Sequence, residues 1–250
     1  MTATGGFDTR SFELLPAAEA GSFWFRSRNR LVIWAMRKYF PAATSFLEVG
    51  CGTGFVLRGL HEASPDLDLT GVELFAEGLE VARRRMPDIS LLQLDARELP
   101  FEGDFDVIGS FDVLEHIDDD ERVLSSMFRA AKPGGGVLLT VPQHPWLWSA
   151  ADEFGKHVRR YRRPDILAKL GRAGFRVMRV TSFVSLLMPL MAASRLRHRR
   201  LDESYDPIAE LSQRGPVDFC LERVMDVERT LIRAGLSLPF GGSLLVVARR

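Results

Sequence analysis

The sequence of 250 residues predicts a doubly wound α/β fold, with a mostly parallel sheet of seven strands and helices on both faces. Strand-like and helix-like segments alternate from residue 45 onward, which is typical of βαβ units. The apolar runs at 107–108 and 137–141 are typical of strands buried on both faces. A third apolar strand, at 46–49, runs directly into a glycine-rich turn and a helix-like segment. This arrangement lets the backbone approach a ligand closely.

Local patterns predict each element in turn. The acidic run at 118–121 is typical of a helix start, because the helix dipole favours acids there. The sequence Lys-Pro-Gly-Gly-Gly at 132–136 then separates that helix from the next strand. Strands are predicted at about 45–50, 68–73, 89–94, 105–110, 136–142, 175–183 and 243–249, and helices at about 54–63, 75–86, 118–131 and 164–173.

Two regions fall outside this alternation. Residues 1–44 form an N-terminal helical extension, whose aromatic and basic segment at 23–30 is expected either to close over a ligand as a lid or to cover the sheet. Residues 184–241 form a helical insertion, so the core is expected at 45–183 and is completed by the final strand at 242–250. An apolar stripe predicts a helix at 217–234 that stops at Gly235. The stripe consists of Val217, Cys220, Leu221, Val224, Val227 and Leu231.

Composition narrows the classes of partner and the expected compartment. The formal net charge of zero argues against a nucleic-acid partner. The two cysteines, Cys51 and Cys220, are far apart in sequence, and a reduced, cytoplasmic protein is expected. The apolar segment at 183–196 is too short and too interrupted to span a bilayer. With the arginines that follow it, three roles stay open for 183–200: a wall of the substrate pocket, a homodimer contact or a peripheral membrane contact.

The glycine turn points to a particular kind of ligand. Gly50, Gly52 and Gly54 have the spacing G-x-G-x-G, whereas a dinucleotide-binding loop has G-x-G-x-x-G. The acid Glu48, two residues before the first glycine, would repel a pyrophosphate. It would suit a ligand that carries an ammonium or sulfonium charge and no phosphate. S-adenosylmethionine (SAM) is such a ligand.

Further motifs follow in order along the chain. Glu73 ends the second strand, at what we expect to be an exposed lip of the sheet, and a carboxylate there can accept both ribose hydroxyls. The third strand ends in Leu-Gln-Leu-Asp-Ala at 92–96, and the fourth runs into Ser-Phe-Asp-Val-Leu-Glu-His at 110–116. Together with the glycine turn and the break at 132–136, these motifs resemble the class I SAM-dependent methyltransferases, a Rossmann-like family. The pattern is most similar to the small-molecule group that includes the ubiquinone-biosynthesis-type enzymes, over about 45–183 and the final strand.

The resemblance implies SAM as cosubstrate, S-adenosylhomocysteine as product, and a set of contact residues. Several of these residues would act through their backbone, so the roles of their side chains stay open. The implied contacts are Glu48, Gly50, Cys51, Gly52 and Gly54 for the aminoacyl end of SAM, Glu73 and Leu74 for the ribose and adenosine, Asp95 and Ala96 for the adenine, and Ser110, Phe111 and Asp112 beside the sulfonium.

Candidate groups for the methyl acceptor follow the fourth and fifth strands. Methyl transfer depends mainly on alignment and exclusion of water. A base is needed only where the acceptor must lose a proton. A purely structural role stays open for each candidate, and the histidines lack the close spacing of a metal site, so no metal is expected. The candidates are His116, His144 and His157 as bases, and Trp24, Trp146 and Tyr161 as contacts to an apolar or aromatic acceptor.

The sequence therefore predicts an enzyme that moves a methyl group from SAM to a small-molecule acceptor, with oxygen slightly favoured over nitrogen or carbon. One alternative is a SAM-binding module without transfer activity that associates with lipid or with a partner through the basic insertion. The other is a nicotinamide-dependent oxidoreductase. Glu48 and the glycine spacing argue against the oxidoreductase.

Overall fold

A mixed sheet of seven strands forms the centre of the computed structural model, which describes residues 11–197 and 215–250. The pairs that join its first five strands are all parallel, whereas the last strand runs antiparallel to both of its neighbours. The predicted doubly wound, mostly parallel sheet of seven strands is thereby confirmed. The strands are β1 (Ser45–Val49), β2 (Asp68–Glu73), β3 (Ser90–Gln93), β4 (Phe105–Phe111), β5 (Ala131–Pro142), β6 (Arg176–Phe183) and β7 (Ser243–Arg249), in the order β3-β2-β1-β4-β5-β7-β6.

Helices cover both faces of this sheet. One hydrophobic cluster joins the sheet to the second, third, fourth and ninth helices, and the other joins it to the fifth and seventh. Both faces are therefore buried, as the apolar strands predict. The helices are α1 (Ser11–Gly21), α2 (Phe23–Tyr39), α3 (Phe55–Ala63), α4 (Ala76–Arg85), α5 (Asp120–Ala130), α6 (Ala150–Phe154), α7 (Arg163–Ala173), α8 (Met188–Arg197) and α9 (Pro216–Arg233).

The fifth strand begins five residues earlier than predicted. Helix α5 ends at Ala130, before the glycine-rich break, but β5 starts at Ala131. Ala131 pairs with Phe105, and the register then shifts, so that Gly136 pairs with Val107. Residues 132–135 all lie opposite Asp106, so the regular pairing is interrupted there, which lets glycine and proline occur inside a strand.

The helix predicted at 217–234 is confirmed, but its apolar stripe is only partly buried. The helix exists as α9, and Gly235 follows it with φ +105°. However, Val217 and Val227 are each 56% exposed, and Cys220 is exposed. The residues of α9 that are buried are Asp218, Glu222, Met225, Glu228 and Ile232.

Ion pairs with α2 explain this orientation. Arg26 lies 2.5 Å from Asp218 and 2.7 Å from Glu222, and Arg30 lies 2.9 Å from Asp226. Buried carboxylates are tolerated when they are paired. The acids of α9 therefore turn toward the basic segment of α2, and part of the apolar stripe is left facing outward.

The apolar and basic segment at 183–200, for which a pocket wall, a homodimer contact and a membrane contact are all open, is described only as far as α8. None of the residues of α8 is buried, and Leu190 and Leu196 are 58% and 51% exposed. Arg195 donates to the hydroxyl of Ser149 at 3.2 Å. The rest of the basic cluster, from 198 onward, lies outside the described residues, so the membrane contact stays a prediction. Within 11–197 and 215–250, no helix is long and apolar enough to cross a membrane.

Candidate functional site

The predicted SAM residues lie at the carboxyl ends of the strands around the reversal in strand order between β1 and β4. In open α/β sheets, the crevice at such a reversal holds the ligand. Glu48 lies near the end of β1, Glu73 ends β2, and Asp112 directly follows β4. Residues distant in sequence are thus brought to one edge of the sheet.

The glycine turn adopts a backbone that other residues would strain. Gly50, Gly52 and Gly54 have φ angles of +72°, +52° and +76°. A Cβ on Gly50 would lie 2.5 Å from a methyl carbon of Val113, because the loop after β4 packs directly on the turn. The side chain of Cys51 is buried in the core, so only its backbone is available to a ligand at this edge.

Glu48 is a buried acid with an unused acceptor. Its side chain is 3% exposed, and Oε2 has no hydrogen-bond partner among the described residues. Burial raises the pKa of this carboxyl from 4.5 to about 8, although the positive charge of Arg28 opposes the rise. A cationic ligand would relieve the cost of this buried charge.

The expectation that Glu73 is an acid on an exposed lip is wrong. Glu73 is 8% exposed, and it accepts hydrogen bonds from the backbone N–H groups of Gly52 at 2.9 Å, Leu74 at 2.8 Å and Phe75 at 3.1 Å. Burial raises its pKa, and these three donors oppose the rise. The carboxylate therefore also joins the glycine turn to the start of α4.

Asp95, just after β3, is bound by the neighbouring residue Arg97. Its carboxylate caps the short 3₁₀ helix Ala96–Glu98 by accepting from the backbone of Arg97 at 2.9 Å. It also pairs with the guanidinium of Arg97, whose hydrogen bond lowers the pKa of Asp95. A contact of Asp95 and Ala96 with adenine stays a prediction.

The end of β4 places a second set of polar groups next to Glu48. Asp112 has φ +58°, and its carboxylate accepts from Thr140 at 3.0 Å and from Arg28 at 2.5 Å. Arg28 is 7% exposed, and its Nε has no partner within the described part of the chain. The hydroxyl of the buried Ser110 is likewise unpaired there, whereas Phe111 belongs to the core.

Helix α1 covers the glycine turn, which the sequence reasoning missed. Phe12 is 5% exposed, and its ring lies 3.8 Å from where a Cβ of Gly52 would stand. Glu19 accepts from the hydroxyl of Thr53 and pairs with Arg85 at 2.9 Å. No local motif marks these contacts, because they join the N-terminal extension to residues more than 30 positions away.

Two of the three candidate histidines lie together beyond the end of β4. The rings of His116 and His157 are edge to face, with centroids 4.7 Å apart. Nδ1 of His157 lies 2.8 Å from Oδ1 of the fully buried Asp152, which also accepts from Arg160 at 2.7 Å. Burial and the nearby His157 lower the pKa of His116 to about 3, so His116 is neutral. Glu115 completes the group, and one ligand atom from each of Glu115, His116 and His157 lies within 4.8 Å of the others.

The third candidate histidine lies in a separate aromatic group. His144 has φ +64° and stacks on Phe240, with ring centroids 5.6 Å apart. Trp146, whose ring centroid is 5.8 Å from that of His144, is 56% exposed. Burial and Arg160 lower the pKa of His144.

The two remaining candidates for contacts to the acceptor, Trp24 and Tyr161, lie in different parts of the structure. The guanidinium carbon of Arg28 lies 4.7 Å from the centroid of the Trp24 ring, so Trp24 borders the predicted SAM site. Tyr161 is 2% exposed and donates to Asp120 at 2.6 Å. The structure therefore places Tyr161 in the hydrophobic core, with its hydroxyl held by Asp120 at the start of α5.

Comparisons with known proteins agree with this geometry. Residues 46–135 match a family model described as a methyltransferase domain. A probable SAM-dependent methyltransferase of Mycolicibacterium smegmatis is 26% identical over 65% of this chain and 63% of its own length. A ubiquinone biosynthesis O-methyltransferase of Pseudomonas paraeruginosa is 31% identical over 46% of this chain and 51% of its own length. A crystal structure of a SAM-dependent methyltransferase from Mesorhizobium loti shares the fold, with 20% identity, a TM-score of 0.60 and coverage of 92% of this chain and 99% of that one.

Residues 46–135 therefore match a methyltransferase domain, and the seven-stranded sheet has the fold of the solved SAM-dependent methyltransferase, in agreement with the motifs. This family implies SAM as the cosubstrate. The chain spans less than two thirds of the length of the curated relatives named above.

Proposed function

We propose that this protein transfers the methyl group of SAM to an oxygen atom of a small-molecule acceptor. The main support for SAM binding is a buried carboxyl group and a buried guanidinium group, each with a free hydrogen-bonding atom. Oε2 of Glu48 is an acceptor and Nε of Arg28 is a donor, and neither has a partner among the described residues. They are complementary to the ammonium and carboxylate of an amino acid, and SAM ends in such a group.

The other predicted contacts complete this proposal. The left-handed glycines add no side chain at three positions of the turn, so that its backbone can line the aminoacyl end. Glu73 would accept from the ribose hydroxyls, Leu74 would pack on the adenosine, and Asp95 would accept from the adenine amine. SAM supplies an electrophilic methyl group on a sulfonium, so the protein has to align the acceptor and exclude water.

The histidine group supports an oxygen acceptor. A hydroxyl must lose its proton to become an effective nucleophile, and a histidine is suited to act on that proton near neutral pH. Of the three candidates, His157 is the best oriented, because Asp152 holds its Nδ1 at 2.8 Å. This leaves Nε2 of His157 for the acceptor side of the site.

The test is turnover with a panel of phenols, carboxylic acids and amines, measured as release of S-adenosylhomocysteine. His157→Ala is expected to bind SAM within about twofold of the wild type and to lose about 100-fold or more in kcat on the best oxygen acceptor. His61→Ala on the exposed side of α3 is the matched control and should keep wild-type turnover. Methylation of amines alone, or full turnover by His157→Ala, would contradict the proposal.

A further inference from the structure

We propose that Glu115, His116 and His157 bind a divalent transition-metal cation, with Zn²⁺ as the first candidate, and that this cation holds the acceptor oxygen. The catalytic part of this inference rests on the proposed methyl transfer to an oxygen atom. With the cation bound, His157 is a ligand through its Nε2 and does not act as the base. The binding site itself rests on the geometry of the three side chains.

The fold brings the three ligands together from two loops. Glu115 and His116 belong to the short 3₁₀ helix Leu114–His116 after β4, and His157 lies in the loop after α6. One ligand atom from each side chain lies within 4.8 Å of the others. Ligands that surround a zinc ion at about 2.0–2.2 Å lie about 3 to 4 Å from one another, so small side-chain rotations complete the site.

Glu115 is a buried acid that still needs a positive partner. It is 1% exposed, Oε2 accepts no hydrogen bond from any described residue, and it makes no salt bridge within the described ranges. The neighbouring acids are already paired, Asp112 with Arg28 at 2.5 Å and Asp152 with Arg160 at 2.7 Å. A carboxylate buried in this way is costly unless a cation is bound to it.

His157 has the environment of a metal-bound histidine. Histidine ligands of metals usually donate their second ring N–H to a carboxylate, which fixes the tautomer and turns the other nitrogen toward the metal. Asp152 supplies that carboxylate, and it is itself held by Arg160 and by the backbone N–H of Ser149 at 2.9 Å. The arrangement is independent of the unpaired oxygen of Glu115, and both observations point to the same ligand.

The types of ligand atom in this group indicate which metal and which class of acceptor it would bind. Two imidazoles and one carboxylate favour Zn²⁺ and similar transition metals over Mg²⁺ and Ca²⁺, which prefer oxygen donors. Three protein ligands leave a fourth position open for the acceptor hydroxyl, whose pKa the metal would lower. The hydroxyl proton passes to water, the oxygen forms a bond to the methyl carbon, and the carbon–sulfur bond breaks with its electron pair remaining on sulfur. This favours phenols and enols, whose oxygens ionise readily.

The experiment titrates the full chain, freed of metal with a chelator, with Zn²⁺ by calorimetry and with Co²⁺ by visible absorption. The wild type is expected to bind one ion per chain and to show the intense visible bands of low-coordinate Co²⁺. Glu115→Gln and His157→Gln should each lower the affinity at least tenfold. His61→Gln and Cys220→Ser remove other surface ligands, and they should bind as the wild type does. Turnover should fall after chelation and return with added Zn²⁺.

Two results would overturn the site. One is the absence of stoichiometric Zn²⁺ binding by the wild type, which needs no variant and so cannot reflect misfolding. The other is wild-type affinity in both Glu115→Gln and His157→Gln. SAM binding is measured on the same samples, so loss of the metal site and failure of the proposed function are read separately. Full turnover by the metal-free protein would contradict the catalytic role.

Discussion

At the scale of single residues, the site contains buried ionisable groups whose hydrogen bonds are incomplete. Glu48 and Arg28 each keep a free hydrogen-bonding atom, and Glu48 holds its proton up to a pH of about 8. Uncompensated groups of this kind reduce stability, and binding sites are where such a cost is retained. The pH dependence of stability can therefore report on the site before any acceptor is known.

Glu48→Gln is expected to change the pH dependence of the free energy of unfolding. The pKa of Glu48 is raised from 4.5 to about 8 in the folded protein. Its contribution is therefore fully present below pH 4.5 and is lost as the pH rises through 8. Relative to the wild type, the variant should gain on the order of a few kcal/mol between pH 4.5 and 9. Denaturant unfolding at each pH measures this difference.

The control for this prediction is Glu102→Gln, which removes an exposed acid. Its unfolding free energy should run parallel to that of the wild type over the whole pH range. A Glu48→Gln curve that is also parallel to the wild type would contradict the raised pKa.

The sequence predicts the site residues that belong to local motifs, but not those that contact the site from distant segments of the chain. Glu48 and the glycines were identifiable because strand, turn and helix are contiguous. Arg28, Phe12 and Glu19 reach the site from the N-terminal helices, and no spacing links them to residues 48–54. For Arg28, the one available signal was its place in the aromatic and basic segment at 23–30.

At the scale of elements, the glycine turn and the loop after β4 form one packed unit. Gly50 requires φ +72° and also lies against Val113, whereas Gly103 has the same φ angle and no atom within 4 Å of where its Cβ would stand. Alanine variants of Gly50 and Gly103 therefore separate the cost of backbone strain from the cost of crowding, because φ is the same at both positions.

Gly50→Ala is expected to destabilise the protein by at least about 2 kcal/mol more than Gly103→Ala. Both variants carry the cost of a left-handed alanine, about 1 kcal/mol, but only Gly50→Ala forces Val113 to move. The measurement is the free energy of unfolding of both variants in denaturant. Equal destabilisation would show that the turn and the loop after β4 are not packed as described.

The insertion helix shows why apolar periodicity can mislead at this scale. The stripe on α9 correctly predicts a helix, but the direction that α9 faces is set by ion pairs with Arg26 and Arg30 on α2. Such pairing links segments about 190 residues apart, which a local pattern does not record. It also connects the insertion to the helix that carries Arg28 and Trp24 into the site.

At the scale of the whole molecule, the topology determines which functional side chains lie close together. The mostly parallel sheet of seven strands was predictable because its βαβ units show a local alternation, and such units form parallel pairs. The strand order, with β7 antiparallel between β5 and β6, was not predicted. The group of Glu115, His116 and His157 was not predictable, because His157 belongs to a loop about 40 residues further along. His144, which looked equivalent in sequence, lies instead beside Phe240 and Trp146.

The most direct test of SAM binding is thermal unfolding of the protein with SAM, with S-adenosylhomocysteine and with NAD. A ligand at about 100 times its dissociation constant adds about 2.7 kcal/mol of stability. For a chain of this size, that raises the Tm by about 5–10 °C. We expect this rise with SAM and with S-adenosylhomocysteine and no change with NAD. No rise with either SAM compound, or an equal rise with NAD, would contradict the assignment of the glycine turn, Glu48 and Arg28 as a SAM site.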